Sequence, residues 1–298
     1  MYLVVLGYTG DMVRGILRKQ FRLLILTLLL FLSVFVWWRV VAASPRELTV
    51  AFLTIGQGDS IYIEAPNGNQ LLVDGGNGKQ ILSELGAVMP FTDRSIDIVI
   101  GTHPDADHVG GLIPVLSRYT VSAVLEPGSS ADTATYRALE KEISDKQIPR
   151  IIAHRGMVVD LGGGVTFTIL SPDRDTTHME TNESSVVGQL RYGSTTVLLT
   201  GDAPQSVERH LVSIDGARLE STVLKAGHHG SRTSSADSFV RTVHPTVAVI
   251  SAGKNNRYGH PHVEVLQTLK KYGISIVRTD DDGRIVFISD GKEMIRKE

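Results

Sequence analysis

The chain has 298 residues, which allows one or two domains, and 42% of them are hydrophobic, enough for a substantial core. The formal net charge of −2 excludes a general electrostatic attraction to nucleic acid, so such a partner would need a local basic surface. The lack of cysteine excludes disulfides, thiolate nucleophiles and sulfur-ligated zinc sites.

The first predicted element is an apolar transmembrane segment over residues 23–43, about as long as a bilayer core requires. Basic residues precede it, and two tryptophans and an arginine at 37–39 stand near its far end. By the positive-inside rule, residues 1–22 are predicted to be cytoplasmic and the rest of the chain extracytoplasmic. A single-pass anchor is favoured, while a signal peptide cleaved after the small residues 41–43 and a buried helix stay open as alternatives.

One domain of alternating strands and helices is predicted over residues 47–290, followed by a tail over residues 291–298. Strand-like runs separated by turn signals come first, and a buried strand over residues 96–102 then leads into a helix over residues 108–119. Two strand-rich blocks, each interleaved with helices, predict an α/β (α+β) fold with two mixed sheets and helices on their outer faces.

The loop between that strand and helix concentrates metal-binding residue types. His103, Asp105, Asp107 and His108 supply imidazole nitrogens and carboxylate oxygens, a donor set that suits zinc, manganese or iron. Because they lie together at one strand-to-helix junction, we predict that they bind one or two divalent ions. For single residues, a helix cap at Asp107 or an ordinary loop histidine at His103 is the alternative.

Six ordered motifs resemble those of the C-terminal metallohydrolase domain of the ComEC family of DNA-uptake proteins. The central one, His-Pro-Asp-Ala-Asp-His at 103–108, resembles the His-x-His-x-Asp-His signature of the metallo-β-lactamase fold, with Asp105 replacing the middle histidine. The resemblance spans about residues 48–288 and implies a four-layer αββα sandwich. The other motifs are Ile55-Gly-Gln-Gly-Asp-Ser60, Leu72-Val-Asp-Gly-Gly76, Leu199-Thr-Gly-Asp202, Leu224-Lys-Ala-Gly-His-His-Gly-Ser231 and Tyr258-Gly-His-Pro261.

The resemblance assigns roles to single residues. It makes Asp202 the carboxylate that bridges two metals and His228 the last histidine ligand. His229 is then predicted to lie behind that ligand or to donate a proton to the leaving group, because a neighbouring ring cannot easily reach the same ion. His260 stays open as a ligand, a general acid or a loop residue. The residues expected to support the ligands or to contact substrate are Asp59, Asp74, Asn182, Lys225, Ser231, Lys254 and Asn256.

The chain departs from the broader fold pattern where a third histidine of the first metal is expected. Asn182 stands in that neighbourhood, and His178 has the wrong spacing, so we predict it to be a loop residue. One metal site is therefore expected to be weaker. The many carboxylate oxygens shift the predicted preference from zinc toward manganese.

The predicted reaction is hydrolysis by hydroxide formed on the bound metal, with Asp107, His229 and His260 as catalytic residues. Two segments expected to meet at the metals, 221–236 and 246–263, carry lysine and arginine but no acid. This charge favours a phosphodiesterase or nuclease acting on DNA, with solvated surface as the alternative explanation. A non-catalytic DNA-binding module of a DNA-uptake system and a lactonase-like hydrolase are the competing functions, and a membrane channel is a candidate partner.

Overall fold

The computed structural model describes residues 5–42 and 47–297. The first of these ranges is one helix, α1 (Val5–Ala42), and the rest of the described chain forms a second compact unit. Within α1, Arg14–Trp38 is long and apolar enough to cross a membrane, with a mean hydropathy of 2.2. The side chains of Arg14–Trp38 are all exposed. The helix starts before residue 23, and the predicted boundary at residue 43 lies outside the described residues.

The second unit contains two mixed sheets. In sheet 1 the strand order is β15-β14-β1-β2-β3-β4-β5-β6, and in sheet 2 it is β13-β12-β11-β10-β9-β8-β7 in the numbering that follows. The strands are β1 (Leu48–Phe52), β2 (Ile61–Glu64), β3 (Gln70–Val73), β4 (Ser95–Ile100), β5 (Thr120–Glu126), β6 (Arg150–Ile152), β7 (Val158–Gly162), β8 (Val165–Ser171), β9 (Val187–Tyr192), β10 (Thr195–Leu199), β11 (Val223–Lys225), β12 (Val247–Ile250), β13 (Ser275–Arg278), β14 (Ile285–Ser289) and β15 (Met294–Lys297).

Helices cover the outer face of each sheet. The inner core forms because alternate strand residues point to opposite faces: Val50 and Phe52 face sheet 2, whereas Ala51 faces the helices. The result is a four-layer αββα sandwich, which confirms the predicted fold class. The helices are α2 (Gln80–Val88), α3 (Ala106–Val109), α4 (Leu112–Arg118) and α5 (Ala134–Asp145) with sheet 1, and α6 (Gln205–Asp215), α7 (Asp237–Val243) and α8 (Val263–Lys271) with sheet 2, while α9 (Thr279–Asp282) is a single turn after β13.

The helix predicted over residues 108–119 is broken into α3 and α4. The break falls at Gly110 and Gly111, where the loop after β3 packs directly on the helix backbone. A β-carbon at Gly111 would lie 1.9 Å from the carbonyl oxygen of Gly75, so only glycine allows this contact. The close approach brings the end of β3 against the predicted metal loop.

The predicted tail over residues 291–298 is a second correction, because Met294–Lys297 forms β15 and pairs antiparallel with β14. The turn between them is closed by Asp290, whose Oδ1 accepts the backbone N–H groups of Lys292 and Glu293. The reversed chain then places Ile295 opposite Ile288, and the sheet gains an edge strand.

Candidate metal centre

The metal-binding residue types lie at the carboxyl ends of neighbouring strands in both sheets. Strands β3 and β4 run parallel, as do β10, β11 and β12, so the loops that follow them emerge at one edge of each sheet. Asp74 follows β3, the loop of His103 and His108 follows β4, Asp202 follows β10, and His229 follows β11. The fold therefore brings together residues that are far apart in sequence.

Three of these side chains form the tightest group together with Asp59, which lies between β1 and β2. Asp59, His108, Asp202 and His229 are buried, and each offers one ligand atom such that these atoms all lie within 4.8 Å of one another. The group depends on Gly58, where a β-carbon would lie 2.0 Å from the carbonyl oxygen of Asp107. Without a side chain at that position, the loop of Asp59 lies directly on the metal loop.

Hydrogen bonds fix the two central imidazoles through their Nδ1 atoms. Nδ1 of His108 lies 2.7 Å from Oδ2 of Asp74, and Nδ1 of His229 lies 3.1 Å from the carbonyl oxygen of Ser251. Asp59 lies on the same side, with Oδ1 3.4 Å from Nδ1 of His229. These contacts leave the Nε2 atoms available, which is the usual arrangement of histidines that bind a metal. Asp59, although it belongs to the tightest group, therefore stands behind the rings rather than in front of them.

The Nε2 atoms face carboxylates at distances that fit a shared ion. Nε2 of His108 lies 3.3 Å from Oδ1 of Asp202, and Nε2 of His229 lies 3.4 Å from its Oδ2 and 3.5 Å from Oδ2 of Asp107. Metal–ligand bonds of about 2.0–2.1 Å in tetrahedral geometry separate ligand atoms by about 3.3 Å.

Buried polar atoms without hydrogen bonds also indicate that a metal ion fits between these side chains. Nε2 of His108, Nε2 of His229, Nε2 of His103 and Oδ1 of Asp202 are buried and make no hydrogen bond to any described residue. Buried polar atoms are rarely left without a partner, and a divalent cation would satisfy all four. The residues present therefore fit a metal ion.

The adjacent histidines both approach Asp202. Nε2 of His228 lies 3.6 Å from Oδ2 of Asp202, close to the corresponding distance for His229. They differ in depth, because the His229 side chain is 1% exposed and that of His228 is 26% exposed. Nδ1 of His228 contacts Oγ1 of Thr233, which also donates to Oγ of the predicted Ser231. The geometry favours His229 over His228 as the ligand, the reverse of the prediction, because His229 is buried and His228 lies at the mouth.

The other half of the centre has fewer protein ligands. Nε2 of His103 lies 3.7 Å from Oδ2 of Asp105, and the neighbouring Asn182 has a buried Oδ1 without a hydrogen-bond partner among the described residues. His178 is exposed in a loop, as predicted. Sequence reasoning missed Thr102, whose Oγ1 donates to Asp74 at 2.7 Å and lies 3.0 Å from Nδ1 of His103. A hydroxyl residue beside a predicted ligand is the only sequence signal for that role.

Lys225 is predicted either to support the ligands or to contact substrate, and its position in the structure favours support. Its side chain is fully buried because it ends strand β11 inside the sandwich. Its Nζ forms an ion pair with Asp59, donates to the carbonyl oxygen of Gly201 at 2.8 Å and lies 3.6 Å from Oδ1 of Asp202. The lysine therefore supports the carboxylates from behind and cannot contact substrate at the mouth.

The other cations of segments 221–236 and 246–263, Arg232, Lys254 and Arg257, are called the rim here and differ from one another. Lys254 and Arg257 are exposed. Arg232 is also exposed, but its Nη1 lies 3.9 Å from Oε1 of Glu264, just beyond the acid-free segment. Asn256 is half-buried and holds the backbone of His260, accepting its N–H at 3.0 Å and donating to its carbonyl oxygen at 2.6 Å. The rim is positive, with one of its charges partly balanced.

The pKa values of the histidines in the centre depend on their burial and on the neighbouring carboxylates. Burial lowers the pKa of His103 to about 3, so its imidazole is neutral and able to bind a metal. Burial also opposes protonation of His108 and His229, yet Asp202 and the other carboxylates raise the pKa of both rings well above the usual value. Without an ion these two rings hold protons that a metal must displace, so binding should release protons.

Comparison with known proteins identifies the family of the chain. The sequence profile of the metallo-beta-lactamase superfamily matches residues 53–254. The chain therefore belongs to the metallo-β-lactamase superfamily, whose members share the αββα sandwich described above.

Within that superfamily the chain is ComEC-like. It is 31% identical over 258 residues to ComE operon protein 3 of Bacillus subtilis (strain 168), covering 81% of this chain and 33% of the relative. It is 30% identical over 292 residues to Recombination protein 2 of Haemophilus influenzae, covering 94% of this chain and 33% of the relative. The chain thus spans about a third of the length of these curated relatives.

Two solved structures share the fold at low sequence identity. CmlA, a diiron beta-hydroxylase from Streptomyces venezuelae, is 14% identical with a TM-score of 0.54, covering 85% of this chain and 55% of CmlA. Igni18, a metallo hydrolase from Ignicoccus hospitalis, is 14% identical with a TM-score of 0.50, covering 84% of this chain and 99% of Igni18. At this identity they indicate the fold alone.

Proposed function

We propose that this protein is a membrane-anchored, metal-dependent phosphodiesterase that cleaves DNA. The observation that carries the proposal is the set of buried histidine Nε2 atoms that face Asp107 and Asp202 without hydrogen bonds, beside a rim of exposed cations. When bound, a divalent ion lowers the pKa of a water molecule and polarises a phosphoryl oxygen. The relative named for recombination favours DNA as the substrate.

The ligands divide into a stronger and a weaker set. The stronger set has four protein donors, three pairs of which lie 3.3–3.5 Å apart, whereas the weaker set relies on one imidazole and on oxygen donors. The oxygen-rich composition favours manganese over zinc. The stronger set is Asp107, His108, Asp202 and His229. The weaker set is His103, Asp105 and Asn182, with Asp202 shared.

The residues at the mouth bind substrate and handle protons. The exposed guanidinium of Arg257 suits a phosphate oxygen, because its flat fork of N–H donors matches that geometry. Burial, with the neighbouring histidines, lowers the pKa of His260 to about 4. Its imidazole is then neutral at physiological pH, and we assign it to hydrogen bonding rather than to general acid catalysis. His228, half-buried beside it, is assigned to contact with the leaving group.

The test uses the intact chain purified in detergent and supplied with manganese or zinc. We expect it to hydrolyse bis(p-nitrophenyl) phosphate and single-stranded DNA, and elemental analysis should find one or two ions per chain. Asp202→Asn should lose both the metal and the activity. Asp132→Asn is the matched control, because the Asp132 side chain is 98% exposed. If both diesters remain intact while a lactone or lactam is opened, the proposed reaction is wrong.

A non-catalytic DNA-binding module is the second candidate function. The observation that favours it is the loop around Asn182, which lacks the third histidine expected for the first metal. The same elemental analysis separates the two functions. A chain that binds DNA but retains no manganese or zinc after purification would have the second function.

We also propose that α1 is an uncleaved single-pass anchor and that the hydrolase domain lies on the extracytoplasmic side. The supporting features are the apolar stretch Arg14–Trp38 and the basic residues that lie within its first turns. A domain held at the membrane surface would meet DNA as it arrives, and a membrane channel is a candidate partner.

A further inference from the structure

A row of flat side chains lies at the mouth of the centre, outside the proposed ligands. The ring of Tyr258 stacks on that of His260, with centroids 5.6 Å apart and an interplanar angle of 22°. The guanidinium carbon of Arg257 lies 4.9 Å from the centroid of the Tyr258 ring, and its Nη2 donates to the tyrosine hydroxyl at 2.7 Å. The phenol ring and the imidazole thus form a stack, and the cation lies at the hydroxyl end of the phenol ring.

The stack runs from solvent to the metal-binding residues. Tyr258 is 48% exposed and Arg257 is exposed, whereas His260 is buried. The ring of His260 lies 5.6 Å from that of His228, whose Nε2 approaches Asp202. The negative charge of Asp107 is within electrostatic range of Arg257.

The stack is also held in place before any ligand arrives. Asn256 makes two hydrogen bonds to the backbone of His260, and the N–H of His262 donates to the carbonyl oxygen of Gly230 at 2.9 Å. The loop of Tyr258 is therefore tied to the loop of the two metal-site histidines. A binding surface that is ordered in advance loses little conformational entropy when a ligand binds.

An exposed aromatic ring with a guanidinium beside it suits the unpaired base and the adjoining phosphate of a nucleic acid strand. Bases in a duplex are already stacked on one another and cannot use such a ring. We propose that Arg257 and Tyr258 form a base-stacking subsite that positions an unpaired nucleotide beside the metal centre and makes the protein selective for single-stranded nucleic acid. This inference deepens the proposed phosphodiesterase function, but its binding step does not require turnover.

The experiment measures binding of a single-stranded oligonucleotide that contains 2-aminopurine, using the intact chain in detergent with EDTA so that no cleavage occurs. Stacking on the wild-type protein should quench the 2-aminopurine fluorescence. Tyr258→Ala should abolish the quenching and raise Kd about 10-fold, the order expected for loss of one stacked base. Tyr258→Phe keeps the ring and should bind like the wild type.

Two controls distinguish stacking from charge and from general surface effects. A fully abasic strand keeps its phosphates, so it should bind the wild type more weakly than the normal strand and should not respond to Tyr258→Ala. Phe91→Ala is the matched protein control: Phe91 is 87% exposed, with the guanidinium carbon of Arg94 5.6 Å from its ring centroid, but it precedes β4 whereas the metal loop follows it. This variant should bind like the wild type.

The possible failures are distinct. If Tyr258→Ala weakens the normal and abasic strands equally, if it weakens duplex binding as much as single-strand binding, or if Phe91→Ala has the same effect, the stacking subsite is wrong. If the strand binds and is quenched but is never cleaved with manganese or zinc, the phosphodiesterase function fails and the subsite stands. If DNA is cleaved and Tyr258→Ala has the wild-type Kd, the subsite fails and the phosphodiesterase function stands.

Discussion

At the residue scale, His228 and His229 show how backbone conformation decides which side chains can share a site. Both have positive φ, 50° and 56°, a region that non-glycine residues rarely occupy. In extended structure, neighbouring side chains point to opposite faces, and only one of these rings would reach Asp202. The left-handed turn instead directs both imidazoles toward the same carboxylate at different depths. Such backbone strain is typical of functional sites.

The two histidines should respond differently to substitution. We expect His229→Ala to weaken manganese or zinc binding by more than about 100-fold, because it removes a buried ligand rather than a residue behind one. His228→Ala should keep the metal and reduce kcat. Metal titration, followed by diester hydrolysis at saturating metal, measures both effects. If His228→Ala loses the metal and His229→Ala keeps it, the roles are reversed.

Lys225 is the second residue whose environment decides its role. Its buried ammonium balances the buried carboxylate of Asp59, which in turn faces Nδ1 of His229. Removing one partner of a buried ion pair leaves an uncompensated charge, so we expect Lys225→Met to lower the free energy of unfolding by about 3–5 kcal/mol. Urea unfolding of the metal-free chain, followed by circular dichroism, measures the change.

The double variant Lys225→Met/Asp59→Asn should recover most of that loss, because it removes both charges. Lys254→Met is the control: Lys254 is exposed, and its substitution should change stability by no more than about 0.5 kcal/mol. A single variant Lys225→Met as stable as the wild type would show that the ammonium does not compensate Asp59.

At the element scale, helices α6 and α7 are joined by one buried acid. Glu208 of α6 accepts the backbone N–H groups of Ser235 and Ala236, both at 2.7 Å, at the start of α7. Although these hydrogen bonds favour the ionised form, burial raises the pKa of Glu208 to about 7. The junction that supports the loop of the two metal-site histidines is therefore sensitive to pH.

The sign of this effect follows from proton linkage. Because the folded pKa is higher than the ordinary value of 4.5, the stabilisation from Glu208 is fully present below about pH 4.5 and is lost as the pH rises through about 7. Relative to Glu208→Gln, which does not titrate, the wild type should lose roughly 3 kcal/mol of unfolding free energy over that interval. Urea unfolding of both proteins across the pH range measures the difference. A difference that does not vary with pH would mean that the two N–H groups keep Glu208 ionised.

The layers and the metal loop could be predicted from sequence because they depend on local patterns. The strand-like runs between turn signals and the crowded donors at 103–108 can be recognised without knowing the three-dimensional structure. The burial of Lys225, the pairing of β15 and the contact between Gly75 and Gly111 depend on which strand or loop packs alongside. From sequence alone, a lysine at the end of a strand is predicted to be exposed. Only the structure shows that a buried carboxylate such as Asp59 lies opposite it.

At the scale of the whole molecule, the N-terminal helix and the αββα domain are separate compact units, and their surfaces differ in polarity. The helix is apolar and exposed over Arg14–Trp38. The domain instead buries its apolar residues between its two sheets and between each sheet and the helices that cover it. If α1 is the proposed membrane anchor, the direction of its insertion decides which compartment the proposed active site faces.

The chain has no cysteine, so a single introduced thiol reports its own location without background. Ser130→Cys adds a thiol at an exposed position of the domain, and Thr9→Cys adds one before the basic residues that precede the apolar run. If the positive-inside rule sets the orientation, a membrane-impermeant maleimide should label Ser130→Cys on intact spheroplasts and Thr9→Cys only after permeabilisation. The reverse labelling would place the domain in the cytoplasm. A labelled product that lacks the N-terminal helix would indicate a cleaved signal peptide in place of an anchor.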